Sequence, residues 1–126
     1  MPIVHVESSA PLPTEKRAEV LHAIGACVSR HLDVHPRQVR ARLEHIDPAS
    51  ALVGERVADP ASPWLVAWVS ILEGRPESKR VAFIDDLAGV LASGYGVPDS
   101  VVRVLVQEYP KVHWSIGRQT AASLGR

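Results

Sequence analysis

At 126 residues the chain is long enough for one domain with a real buried core. It is 46% hydrophobic and 22% charged, with 14 Lys and Arg balancing 14 Asp and Glu, so its net charge draws it to neither nucleic acid nor an anionic membrane. Cys27 is the single cysteine, which excludes an intrachain disulfide and a thiolate metal cluster and fits a reducing compartment.

The N-terminus, Met-Pro-Ile-Val-His-Val-Glu, has no basic segment ahead of a long apolar one, so neither a signal peptide nor a membrane span is expected. The chain reads as soluble and cytoplasmic. Ile3–Glu7 is a short β-rich run. A polar turn follows, then a helix whose apolar stripe is Val20, Leu21, Ile24, Cys27 and Val28, with Thr14 as a candidate cap. Gln38–Ile46 is the next strand. Gly54–Pro63 holds two prolines and reads as linker. Leu65–Leu72 is a second β run, leading to a helix with Val81, Ile84, Leu87, Val90 and Leu91 that ends near Gly94-Tyr95-Gly96. A last strand, Val101–Tyr109, precedes a short tail.

A shift of 63 positions brings the halves into register: Val6 meets Val69, Lys16-Arg17 meets Lys79-Arg80, and Val39-Arg40 meets Val102-Arg103. The order is therefore β-α-β, linker, β-α-β, read as one domain of two repeats (2–53 and 65–126) joined by residues 54–64. A crossover helix makes the two strands of each unit parallel. The expected fold is α+β, a four-stranded sheet with two helices on one face. Its strands are apolar enough to need burial on both faces, which association of several chains would supply. A ferredoxin-like plait has the same element order, and its small-molecule-binding version stays open. An RNA-binding plait is disfavoured by 5% aromatics and zero net charge.

Several residues are candidates for chemistry. Met1 before a small residue is normally trimmed, leaving Pro2 as a terminal secondary amine. An ordinary α-amino group titrates near ~8 in the open, and burial or nearby arginines lower the value of a terminal amine, giving a base suited to proton abstraction beside a carbonyl. Arg75, in Ile71-Leu72-Glu73-Gly74-Arg75, sits at a strand-to-helix turn where a guanidinium can grip a carboxylate with two parallel hydrogen bonds. Arg40 and Arg103 hold equivalent positions in the repeats. Trp114 is either packing or a pocket wall. The six histidines show no metal-ligand spacing, and Cys27 lies on a helix's apolar stripe as a core residue.

This set resembles the 4-oxalocrotonate tautomerase family along the whole second half. The resemblance is carried by Ile71-Leu72-Glu73-Gly74-Arg75, Val102-Arg103-Val104, Gln107-Glu108 and His113-Trp114-Ser115-Ile116-Gly117. The first half looks like a diverged copy beginning at the family's proline. The whole is similar to the fused tautomerases, a group that includes enzymes like cis-3-chloroacrylic acid dehalogenase and malonate semialdehyde decarboxylase. The resemblance implies Pro2 as acid-base group, Arg75 and Arg103 (or its mate Arg40) on the substrate's carboxylate and carbonyl, and Trp114 lining the pocket. It further implies a homotrimer, a small carboxylate substrate and no cofactor. Leu12 stands where the second half has Arg75, and Leu65 where the first has Pro2, so one complete site per chain is expected, with a neighbouring chain as a possible source of Arg40 or Arg103. The dehalogenases' and decarboxylase's extra arginine falls on Leu72 and Glu73 here, so keto-enol isomerisation of a 2-hydroxydienoate-like acid is expected before hydration, dehalogenation or decarboxylation. A non-catalytic binding or assembly protein of the same fold is the reading from a different class.

Overall fold

The computed structural model describes residues 1–126. The elements run β1 (Ile3–Ser8), α1 (Thr14–Leu32), β2 (Arg40–His45), β3 (Leu52–Val53), β4 (Arg56–Val57), β5 (Leu65–Leu72), α2 (Glu77–Tyr95), β6 (Val102–Tyr109), β7 (Ser115–Ile116) and β8 (Gln119–Thr120). The 63-residue repeat extends to the smallest pieces. Glu77 follows Thr14 at that spacing, and so does the hairpin β7–β8 after β3–β4. Two corrections to the sequence reading follow. The expected linker is structured at its start, because residues 52–57 form the first repeat's hairpin. Strand β2 begins only at Arg40, because Pro36 opens a 3-10 turn over Pro36–Gln38.

Four strands form one mixed sheet in the order β2-β1-β5-β6. The β1–β2 and β5–β6 pairs are parallel, and β1 and β5 meet antiparallel at the centre. Alternation along the strands sends Val4, Val6, Ala67, Val69 and Ile71 to the helical side, all buried. The helices pack against each other, and each also packs on its own unit's outer strand. Val20, Ile24, Cys27, Val28 and Leu32 are the buried positions of α1, and Leu21 is only half-buried. In α2 the buried stripe is Phe83, Leu87, Leu91 and Ala92, while Val81 is 59% exposed. Thr14 is the first helical residue and not a cap; Pro13 and Pro76 hold the N-cap positions, and neither helix has a side-chain cap. At the C-terminal ends, Asp33 and Gly96 turn the chain with φ of 52° and 67°, a region glycine enters without cost and aspartate tolerates.

The other sheet face is open. Ile3 (45%), Trp68 (43%) and Leu105 (45%) are exposed there. No helix is long and apolar enough to cross a membrane.

Candidate active site

The strand register decides which side chains can meet. Because β1 and β5 are antiparallel, Ile3 lies opposite Ser70, and the chain's start reaches the end of β5. Parallel pairing sets Arg40 beside Ile3, and the Arg40 amide donates to the Pro2 carbonyl at 3.0 Å. Leu72 and Tyr109 are opposite each other, so the turn after β5 and the tail after β6 arrive at the same end of the sheet. The start of the chain, Arg40, Arg75 and Trp114 are thereby gathered there.

Pro2 is wholly buried beneath Met1. A pocket of about 170 Å³ opens beside them, lined by Met1, Gln38, Arg40, Trp114 and strand β7. The Trp114 ring meets Tyr109 edge-on, with centroids 5.7 Å apart and planes at 76°, an arrangement that fixes an aromatic wall. Burial lowers the pKa of the terminal amine below its ordinary value, and the charges of Arg75, Arg126 and Arg40 lower it further. In this structure that amine belongs to Met1; it stands in for the Pro2 nitrogen that trimming would expose one residue later. Arg126, the last residue, was not singled out from sequence, and no spacing or motif ties it to the first.

Arg75 is half-buried. Its Nε and Nη2 donate to the carbonyl of Leu32 at 3.2 and 3.1 Å, and Nη1 donates to that of Leu72 at 3.2 Å. Leu32 ends α1, so the guanidinium also satisfies a helix-terminal carbonyl, where a cation is favoured. Burial lowers the Arg75 pKa, while Asp33 and Glu108 oppose that shift. Arg80 steadies the turn by donating to the Arg75 carbonyl at 2.6 Å and pairing with Glu108 at 3.4 Å.

Arg40 is held differently. Only its Nη1 is engaged, with the carbonyls of Arg37 (3.0 Å) and Val39 (3.2 Å), leaving Nε and Nη2 for a ligand. Arg103 makes the matching bonds to Ser100 and Val102 but stands opposite Val66, where β5 begins. Within one chain, therefore, Arg40 shares an end of the sheet with Pro2, Arg75 and Trp114, and Arg103 does not.

Other reactive side chains have local partners. Burial, aided by Asp86, pushes the Cys27 thiol up to about 12, so it remains protonated in the core. Asp86 joins the helices by accepting from Arg30 and bonding His31 Nε2 at 2.7 Å.

A family model described as "Tautomerase enzyme" matches residues 66–120. A 2-hydroxymuconate tautomerase of Stutzerimonas stutzeri is 34% identical over 61 residues, 48% of this chain and 97% of that protein. One from Pseudomonas putida is 38% identical over 60 residues, 48% of this chain and 95% of its own length. Among solved structures, native fused 4-OT superposes with a TM-score of 0.87 at 26% identity, covering 98% of this chain and 99% of that one. A fused 4-OT described as an asymmetric trimer gives 0.90 at 22% identity, with the same coverage of 98% and 99%, a likeness of fold.

Proposed function

The chain belongs to the tautomerase family and is an isomerase; from that premise we propose that Pro2, freed by removal of Met1, is its acid-base catalyst on a small carboxylate-bearing 2-hydroxydienoate. One observation carries the reading. The amine at this end of the chain is shifted towards its neutral form by burial, then by Arg75, Arg126 and Arg40, beside a pocket walled by Trp114.

A neutral secondary amine takes the proton from the substrate's 2-hydroxyl, and the electron pair moves through the diene as the carbonyl forms. The resulting prolinium returns that proton to a distant carbon, so atoms and charge balance and only protons move. Arg40, with two free nitrogens, is the carboxylate clamp. Arg75, fixed by two carbonyls, acts as a standing positive charge that stabilises the dienolate. Pro2 comes from one repeat and Arg75 from the other, in keeping with residues 1–126 working as one domain. Relatives solved as trimers, together with the open apolar sheet face, support assembly as a homotrimer.

Ketonisation of 2-hydroxymuconate, followed by absorbance, tests the reading. Pro2→Ala should cost about 10²- to 10⁴-fold in kcat, and Arg75→Ala about 10²- to 10³-fold. Full activity in either variant overturns the split site.

A further inference from the structure

A cluster of possible metal ligands lies between the two helices, on the opposite side of the sheet from its open face. We propose that Cys27, His31 and Asp86 bind one zinc ion there and so pin α1 to α2. Cys27 and His31 are four residues apart on α1, so their side chains share a face. Asp86 comes from α2, and its Oδ2 is 2.7 Å from His31 Nε2. The Cys27 sulfur, a His31 ring nitrogen and an Asp86 oxygen all lie within 4.8 Å of one another. Spacing along the chain does not show this set, because only the packing of the helices completes it.

The donor atoms name the ion. One sulfur, one nitrogen and one oxygen from the protein suit zinc, with water in the fourth place of a tetrahedron. Bonds of about 2.0–2.3 Å set tetrahedral ligand atoms about 3.3–3.6 Å apart, so adjustments of about 1 Å at rotatable side chains admit the ion. Cys27 has no exposed surface and forms the floor of the site. The side chains of His31 and Asp86 are 22% and 36% exposed and leave a way in from solvent. The buried Phe83 ring, with its centroid 6.4 Å from that of His31, limits how the imidazole can turn. Arg30 is the group that opposes a cation here. It shares Oδ2 of Asp86 with His31, so Oδ1 is engaged by neither. Its own side chain is 59% exposed and can turn out into water at the small cost of a surface ion pair. On binding, the proton that the Cys27 thiol otherwise keeps passes to solvent, and the imidazole carries its proton on Nδ1. Thiolate and carboxylate then cancel the charge of the ion. The ion takes no part in the proton transfer at Pro2, so the inference stands apart from that reading.

Cobalt(II) is the probe, because thiolate bound to it gives a near-ultraviolet charge-transfer band and tetrahedral coordination gives strong visible bands. The full-length protein, reduced and freed of metal with a chelator, would be titrated with cobalt and then with zinc. Both sets of bands should grow to one equivalent per chain and vanish as zinc displaces the cobalt. Zinc should also raise Tm, since it binds the folded chain at ligands that only folding brings together. Cys27→Ala should remove the charge-transfer band. Asp86→Asn, close to the parent in shape, should raise the Kd for cobalt about tenfold or more, and it serves should the alanine variant not fold. A charge-transfer band that never forms, or one that survives Cys27→Ala, would overturn the proposal. So would a Kd indifferent to Asp86→Asn, a Tm indifferent to zinc, or cobalt bound without thiolate, as at the cluster of His5, Glu7 and Glu44 on the sheet's open face.

Discussion

Arg40 and Arg103 carry the same guanidinium on the same kind of turn, yet only one shares an end of the sheet with the chain's amine. Arg40→Ala should therefore lower kcat/KM for 2-hydroxymuconate by about 10- to 100-fold, the scale of charged hydrogen bonds lost from a bound carboxylate, with most of the loss in KM. Steady-state kinetics check this, and an unchanged KM would return the clamp to another arginine. The same site sets a pH dependence. A base whose pKa lies below the ordinary ~8 of an amine is already neutral at lower pH, so kcat/KM should rise with pH along an acidic limb whose midpoint lies below that value. Replacing Arg75 by Met removes a neighbouring charge and should move the acidic limb upward. Sequence made the residue types of this site legible, because Pro2, Arg75 and Trp114 sit in motifs. It left Arg40 and Arg103 as equals, because the repeat gives both the same local setting and only strand pairing separates them. Arg126 was illegible, since its proximity to the amine follows from the fold of the tail alone.

At the level of elements, the two helices approach closely where Gly94 faces Val20. A Cβ at Gly94 would lie 2.9 Å from Val20 Cγ2, and a β-branched side chain inside a helix has little freedom to move aside. The helix propensity that alanine gains over glycine, about 1 kcal/mol, opposes the clash, which costs about 1–3 kcal/mol. Gly94→Ala should thus destabilise by about 1 kcal/mol in urea unfolding, and adding Val20→Ala should recover part of that, giving a coupled cycle. Additive effects would mean that the helices sit further apart. Strand and helix existence could be read from apolar periodicity, as β5 shows with its ends where the sequence put them. The α2 stripe was misread by two residues at its start. Val81 and Phe83 both fit an apolar helix, and burial of the larger side chain between helix and sheet decides between them. The hairpin β3–β4 was hidden because its two-residue strands are too short to show alternation.

For the whole molecule, the open sheet face carries Ile3 and the neighbouring pair Trp68 and Leu105 among polar residues, and the Trp68 indole donates to Glu7 at 3.2 Å. The need for a covering partner was readable from strands too apolar for one wet face. The stoichiometry was not, because it depends on how the sheet edges meet. If a homotrimer covers this face, Leu105→Glu should bury an unpaired charge and shift the chain to monomer, as read by light scattering on a sizing column; a variant that elutes unchanged would move the interface elsewhere. The catalytic account rests on one nitrogen, and it can be observed directly. With ¹⁵N-proline labelling, the Pro2 signal should titrate as an amine, with a midpoint below about 8 that matches the acidic limb of kcat/KM. A Pro2 nitrogen that stays an amide at every pH, acylated by Met1 in active protein, would contradict the account, as would an amine that titrates at or above that value.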